Sequence, residues 1–99
     1  MRIIAVSTLR AFWSRPGRGD AEQPLRACVH IVRAAEWSKP TDIKAMFGSA
    51  DILRNGRAIF DIGGNKYRLV VAIRYRGKRV YIRFIGTHKE YDGIDAATV

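Results

Sequence analysis

The stretch from Tyr67 to Thr87, YRLVVAIRYRGKRVYIRFIGT, constrains the fold more than any other part of the chain. Apolar side chains recur at every second position, and basic side chains occupy many positions between them. This period is typical of strands with one buried and one exposed face. The run RAIFDI at 57–62 has the same β-branched and aromatic character, and the loops GGNK and GK separate the three runs. The pattern predicts a three-stranded antiparallel meander with one apolar face and one basic face.

The loops also predict a register for the meander. A four-residue GGNK loop pairs Ile62 with Tyr67, Phe60 with Leu69 and Ala58 with Val71. A two-residue turn at Gly77-Lys78 pairs Arg76 with Arg79, Tyr75 with Val80, Ile73 with Ile82, Val71 with Phe84 and Leu69 with Gly86. In this register Arg68 lies opposite Asp61 on one side and Thr87 on the other. A slip of one residue would turn arginines into the core, so the register is strongly specified.

The N-terminal half has a different period. A strand is predicted at Arg2–Val6, followed by a helix that Ser7 or Thr8 caps and that runs through Trp13. A second helix starts near Asp20. Its apolar residues follow helical spacing, at Leu25, Cys28, Val29, Val32 and Ala35, with His30 on the exposed side. A short helix capped by Thr41 or Asp42 runs through Phe47. The prediction is an α+β fold with the N-terminal strand and helices packed on one face of a small antiparallel sheet, as a single domain at 1–99.

The net charge of +9 is concentrated in one segment. Between Ile62 and Lys89 the chain has eight basic residues and no Asp or Glu, whereas the remainder has ten basic and nine acidic residues. Clustered positive charge of this kind indicates a polyanionic partner such as nucleic acid. The alternative is a solvated basic face that keeps a small protein soluble.

The few cysteines and histidines of the chain argue against disulfide and metal sites. The single cysteine, Cys28, excludes an internal disulfide and a multi-cysteine zinc site, and it fits a reducing cytoplasm. No apolar run approaches the roughly 18 residues of a membrane span. The two histidines are far apart, and GGNK lacks the ending of a phosphate-binding P-loop. We therefore expect a soluble cytoplasmic protein that uses no metal or other cofactor and no membrane.

The segment THKEYD, directly after the last strand, is the candidate catalytic cluster. The predicted register places it near Arg68 at one edge of the basic face. For metal-free RNA cleavage, the 2′-hydroxyl must lose a proton, the leaving 5′-oxygen must gain one, and the phosphorane charge needs fixed cations. The candidate proton carriers are His88, Lys89 and Tyr91, together with Glu90, and the candidate cations are Arg68 and Arg83.

Further residues of the basic face are candidates for RNA binding. They are Lys66, Arg74, Arg76, Lys78, Arg79 and Tyr81. Two alternatives stay open: Arg68 can pair with Asp61 across the strands, and Tyr91 can stack on a base instead of moving a proton.

The segment AIFDIGGNKYRLVVAIRYRGKRVYIRFIGTHKEYDGID resembles the C-terminal half of the HigB family of bacterial toxins, within the RelE-like superfamily. The stretches WSKP, DIKAMF and ADILRNGRAIF resemble the middle of that family. The chain departs from the family pattern at Asp61, where Asn is common, and this departure allows a pair between Asp61 and Arg68.

The resemblance implies a ribosome-dependent endoribonuclease, an mRNA interferase that cuts translated mRNA. It also implies silencing by a cognate helix-turn-helix antitoxin, similar to HigA, within a toxin–antitoxin hetero-oligomer. Two alternatives remain: a non-catalytic toxin that inhibits DNA gyrase, and a plain RNA- or ribosome-binding module. The proton-carrying cluster beside Arg68 favours the nuclease, since a pure binder does not need it.

Overall fold

The computed structural model describes residues 1–99 and contains one five-stranded sheet and four α-helices. The elements in chain order are β1 Arg2–Ile4, α1 Val6–Trp13, a 3₁₀ turn Gly19–Ala21, α2 Glu22–Ala34, α3 Pro40–Met46, β2 Asp51–Ile52, β3 Arg57–Ile62, β4 Tyr67–Arg74, β5 Arg79–Thr87 and α4 His88–Asp92. The strand order is β1-β5-β4-β3-β2, with β1 parallel to β5 and all other neighbours antiparallel. The α+β prediction is confirmed, and the sheet is mixed because of β1.

The predicted core face of β3 and β4 is confirmed. The register pairs Ile62 with Tyr67, Asp61 with Arg68 and Ala58 with Val71, as the four-residue loop requires. Alternate residues of these strands are buried in one cluster with α1, α2 and α3. The sheet contributes Ala58, Phe60, Ile62, Tyr67, Leu69, Val71 and Ile73, and the helices contribute Leu9, Phe12, Trp13, Leu25, Cys28, Val29, Val32 and Ile43.

The predicted β4–β5 register is wrong. Arg74 lies opposite Arg79, so the connection is a four-residue loop rather than a two-residue turn. A β-bulge at Arg83 then shifts the register by one, because Val71 pairs with Ile82 and Val70 with Phe84. The bulge allows both Ile82 and the buried Ile85 to pack on the core side, which strict alternation would forbid.

The bulge changes which residues flank the predicted site. Phe84, predicted on the core face, lies instead on the opposite face across from Val70. Gly86, rather than Thr87, lies opposite Arg68, and Thr87 pairs with Tyr67.

The starts of three helices also differ from the predictions. Helix α1 begins at Val6, directly after β1, with Ala5 as its N-cap, so Ser7 and Thr8 are within the helix. Asp20 belongs to the 3₁₀ turn, and its carboxylate bonds to Lys66 of the β3–β4 loop and to Tyr67 of β4 instead of capping α2. Helix α3 begins at Pro40. Pro is favoured at a first helical position because its missing N–H has no partner there in any case.

Strand β1 is held at the sheet edge by its pairing with β5 and by the amino group that precedes it. Ile3 lies opposite Val80 and packs against the core. The amino group of Met1 lies 2.7 Å from the carbonyl oxygen of Ala35 and 3.3 Å from that of Val32, at the C-terminal end of α2. A cationic donor at this position bonds to the last carbonyls of α2 and interacts favourably with the negative end of the helix dipole.

The sheet face opposite α1 and α2 is called the open face. Its side chains come from alternate positions of the strands, and α4 lies at one end of it. The open face carries Arg2, Arg57, Asp61, Arg68, Arg74, Arg79, Tyr81 and Phe84. None of the helices is long and apolar enough to cross a bilayer.

Candidate active site

Helix α4 was not predicted from the sequence, and a capping box explains why it forms. The Thr87 hydroxyl accepts a hydrogen bond from the Glu90 backbone N–H at 3.2 Å, and the Glu90 carboxylate accepts one from the Thr87 N–H at 2.8 Å. The backbone hydrogen bond from Thr87 also lowers the pKa of Glu90. The cap starts the helix directly at the end of β5, so His88 is its first residue and faces the end of β4.

The closest contact of the site joins Arg68 and His88. The Nη2 of Arg68 lies 2.6 Å from the Nε2 of His88. A guanidinium can only donate, so Nε2 of His88 is the acceptor in this contact. The contact holds the imidazole against a fixed cation, next to Tyr91 of the same helix.

Arg68 is held in place by several further groups. Its Nη1 lies 3.0 Å from the Oδ1 of Asp61, and its Nη2 lies 3.3 Å from the Oδ1 of Asn65. The Asp61 contact is an ion pair by distance only, because its geometry does not make a hydrogen bond. The side chain of Arg68 is 16% exposed and that of Asp61 is 23% exposed, so both charged groups are largely buried. Buried Nε of Arg68 has no partner.

Aromatic side chains form the wall of the site. The Cζ of Arg68 lies 5.4 Å from the centroid of the Tyr91 ring, and the rings of Tyr91 and Phe84 are 6.5 Å apart. Gly86 makes this arrangement possible, because a Cβ there would lie 2.6 Å from the Cζ of Phe84 and 3.2 Å from the Cβ of Glu90. The absent side chain lets Phe84 and α4 approach the end of β4.

The structure brings together some of the predicted catalytic residues and not others. Arg68, His88 and Tyr91 are in mutual contact through Arg68, and Lys89 is exposed on the same helix. Arg83 lies further along the open face, with its Cζ 5.8 Å from the centroid of the Tyr81 ring. The row formed by Val70 and Phe84 separates Arg83 from Arg68.

The end of the open face away from α4 is strongly cationic. The exposed residues Arg2, Arg79 and Arg74 lie directly opposite one another on β1, β5 and β4. Beside them is a cavity of about 450 Å³. Its lining residues are Asn55, Arg57, Ala72, Ile73, Arg74, Tyr81 and Arg83. Like charges at such spacing repel one another, so the surface favours a bound anion.

The sequence analysis missed three residues of this surface. Asn65 was seen only as part of a loop, and its amide contacts Arg68. Arg57 shares the alternation of Ile59 and Asp61 and could have been found from it. It also donates to the carbonyl of Ala96 at 3.3 Å. Arg2 could not have been found, because its place depends on the parallel pairing of β1 with β5.

The remaining predicted RNA-binding residues differ in whether their charged groups are already paired within the protein. The ammonium of Lys66 is paired with the Asp20 carboxylate, which also accepts a hydrogen bond from Tyr67. These two bonds lower the pKa of Asp20, that from Lys66 most, and the Asp20 carboxylate raises the pKa of Lys66. Arg76 and Lys78 are exposed in the β4–β5 loop, where Lys78 Nζ lies 3.4 Å from the Trp37 carbonyl.

Comparison with known proteins places the chain in a family. Residues 21–94 match the family model described as HigB_toxin, RelE-like toxic component of a toxin-antitoxin system. The chain belongs to the HigB toxin family. Similar proteins include the mRNA interferase toxin HigB of Escherichia coli K12, 38% identical over 70 residues, which cover 69% of this chain and 67% of the relative.

Other HigB relatives match with the same coverage of this chain. The mRNA interferase HigB of Shigella flexneri is 38% identical over 70 residues, covering 69% of this chain and 67% of the relative. The mRNA interferase HigB of Escherichia coli O6:H1 is 29% identical over 70 residues, covering 69% and 68%. The matched range of the family model includes Arg68, His88 and Tyr91, and with them strand β4 and helix α4. The chain is therefore the toxic component of a toxin–antitoxin system, and the resemblance deduced from its motifs is confirmed.

Proposed function

We propose that this HigB-family toxin is an mRNA interferase that cleaves mRNA on the ribosome without a metal ion. Its relatives carry the name mRNA interferase. The observation that carries the proposal is the 2.6 Å contact of Arg68 with His88 at the end of a cationic sheet face. We further propose that the whole chain, 1–99, acts as one RelE-like domain and forms a hetero-oligomer with a helix-turn-helix antitoxin in the cytoplasm.

The cationic end of the open face binds the RNA backbone in this proposal. Arg2, Arg74 and Arg79 supply exposed guanidinium groups in one row, and Arg83 and Tyr81 line the neighbouring cavity. Guanidinium groups bind phosphate oxygens in a bidentate manner. Arg76 and Lys78, in the β4–β5 loop, extend the positive potential, and Lys66, at the other end of β4, contributes less because Asp20 pairs with it. The RNA strand then runs along the open face towards α4.

Cleavage takes place where Arg68 meets α4. The 2′-hydroxyl oxygen attacks the adjacent phosphorus and gives its proton to a base of the protein. The bond between phosphorus and the 5′-oxygen breaks, and that oxygen takes a proton from an acid, leaving a 2′,3′-cyclic phosphate and a 5′-hydroxyl.

Arg68 and His88 have different roles in this reaction, charge stabilisation and proton transfer. The guanidinium of Arg68 stabilises the negative charge that develops on the phosphorane oxygens. When a phosphate draws Arg68 away, Nε2 of His88 is free to take up a proton. Lys89 and Tyr91 are the other proton carriers within reach on α4, and Tyr91 can instead stack on the base beside the cut.

Expression of the toxin, followed by mapping of mRNA 5′ ends, tests the proposal. His88→Ala is expected to slow cleavage at least about 100-fold, because one positioned proton carrier supplies that much. His30→Ala is the matched control, since this exposed histidine lies on α2 and should leave cleavage unchanged. Upstream fragments should end in a 2′,3′-cyclic phosphate, and purified ribosomes should be needed for cleavage in vitro.

Two results would contradict the proposal. Growth arrest with intact mRNA and altered plasmid supercoiling would indicate a gyrase inhibitor. RNA binding without cleavage would indicate a plain binding module.

A further inference from the structure

A second cationic site lies on the other side of the molecule, along the seam between α1 and α2. A cavity of about 260 Å³ opens there. Helix α1 contributes Val6, Arg10 and Trp13, and α2 contributes Arg26, Val29, His30 and Arg33. These positions recur at helical spacing, so each helix presents one face to the cavity. The cavity belongs to neither the open face nor α4.

The charge of this cavity is not compensated by the protein. No carboxylate lies within ion-pair distance of Arg10 or Arg33, and both residues are exposed. Arg26 is paired with Glu22 at 2.8 Å. Two free guanidinium groups therefore stand on opposite helices across one small cavity, which suits a ligand that carries two anionic groups.

The floor of the cavity determines the kind of ligand. Trp13 and Val29 are each 8% exposed, so the floor is apolar. The Cζ of Arg26 lies 4.9 Å from the Trp13 ring centroid and covers the ring, so the indole offers no open face for a nucleobase, and His30 at the rim is the one remaining aromatic ring. An aliphatic side chain flanked by carboxylates fits this site better than RNA does.

We infer that the α1–α2 cavity binds an acidic segment of the antitoxin. One aliphatic side chain enters the cavity, and two carboxylates of the segment pair with Arg10 and Arg33. The inference adds to the proposed function a docking site for the partner that a toxin–antitoxin family requires. It also means that the antitoxin is held on the helix side, while Arg68 and His88 remain uncovered by this contact.

The test uses the full chain with His88→Ala, which permits expression of an inactive toxin. The ¹⁵N-labelled protein is titrated with the peptide acetyl-Asp-Glu-Leu-Glu-Asp-amide while the two indole resonances are followed by NMR. Trp13 reports on the cavity, and the buried Trp37 is an internal control. The Trp13 resonance should move and that of Trp37 should not. Replacing Leu by Gly in the peptide should weaken binding several-fold at unchanged charge.

Charge reversal distinguishes a specific site from general attraction. Arg33→Glu should weaken peptide binding at least about tenfold, since it replaces an attraction by a repulsion in a partly enclosed site. Arg76→Glu makes the same change in net charge on the exposed β4–β5 loop and should have less than about a third of that effect. Equal losses in the two variants, or movement of the backbone amide resonances of α4 with no movement of the Trp13 indole resonance, would overturn the inference.

Two further measurements separate this inference from the proposed function. A single-stranded oligouridine should leave the Trp13 resonance in place, and tighter binding of RNA than of peptide at Trp13 would make the cavity an RNA site. Arg10→Glu with Arg33→Glu in the active toxin should leave mRNA cleavage unchanged. If cleavage is lost, the helix side takes part in the reaction and the docking assignment is wrong.

Discussion

Arg68 has one anionic partner in the structure, the Asp61 carboxylate, which competes with the RNA phosphate of the proposed reaction. The Asp61 contact at 3.0 Å is not a well-formed hydrogen bond, while the contact with His88 is short. Such a pair across neighbouring strands contributes only about 0.2–1 kcal/mol to stability. Asp61 therefore orients Arg68 only weakly. Its negative charge partly neutralises the guanidinium and so weakens the attraction of Arg68 for a phosphate.

Replacing Asp61 by Asn should raise the cleavage rate several-fold. The substitution keeps the size of the side chain and removes the competing negative charge, so Arg68 engages the phosphate more strongly. Initial rates of mRNA cleavage at saturating ribosomes measure the effect. Asp51→Asn, on the exposed edge strand β2, is the matched control. A rate that falls with Asp61→Asn would mean that the carboxylate is required to orient Arg68.

At the element scale, α4 depends on its cap. Five residues are too few for a helix to be stable by itself in water, and none of the five is buried. The Thr87–Glu90 capping box and the contact of Arg68 with His88 and Tyr91 hold it against the sheet. The position of the proton carriers thus follows from a local motif at the end of β5.

Thr87→Ala should lower the free energy of unfolding by about 1 kcal/mol, the usual contribution of an N-cap side chain. It should also lower the cleavage rate by more than the loss of folded protein explains. His88 is the first residue of α4, and without the cap α4 no longer holds it in place. Urea denaturation and cleavage rates measure the two effects. Thr87→Ser keeps the hydroxyl and should restore both. Full activity in Thr87→Ala would contradict a role for the cap in positioning His88.

The distribution of charge is the main property at the scale of the whole molecule. The open face has arginines from four strands, including Arg2 of β1 and Arg57 of β3, and the α1–α2 seam has a second set. The sequence analysis attributed nearly all the excess charge to the segment 62–89. Folding instead divides the cationic surface into two sites on opposite sides of the sheet.

Arg74→Gln should weaken RNA binding and reduce its salt dependence. Each phosphate contact releases about one counterion, so the slope of log K against log salt should fall by about 1. Fluorescence anisotropy with a short RNA over a range of salt concentrations measures this slope. Lys39→Gln, an exposed residue at the start of α3 with the same change in charge, should leave it unchanged. An unaltered slope in Arg74→Gln would exclude Arg74 from the RNA contact.

Acid should destabilise the fold through three carboxylates. Hydrogen bonds lower the pKa of Asp20, Asp42 and Glu90 below their ordinary values. Groups with a lowered folded pKa stabilise the protein above their unfolded pKa, roughly pH 4, and the stabilisation is lost as the pH falls through the folded values. The free energy of unfolding should therefore drop below about pH 4. Asp20→Asn should flatten this drop, and a profile identical to that of the unsubstituted toxin would show that its bonds contribute nothing.

The sequence by itself determined the α+β class, the β3–β4 register and the basic character of the open face. These features depend on side-chain period and on a short loop, which are local properties of the chain. The tertiary structure decided three other features: the bulge at Arg83, the parallel pairing of β1 with β5, and the grouping of Arg10 with Arg33. The bulge forms because Ile82 and Ile85 both pack in the core. The other two features depend on contacts between segments far apart in the chain, which no local sequence pattern encodes. The capping box that begins α4 was readable in THKE, but only the packing of α4 against Arg68 turned it into part of a site.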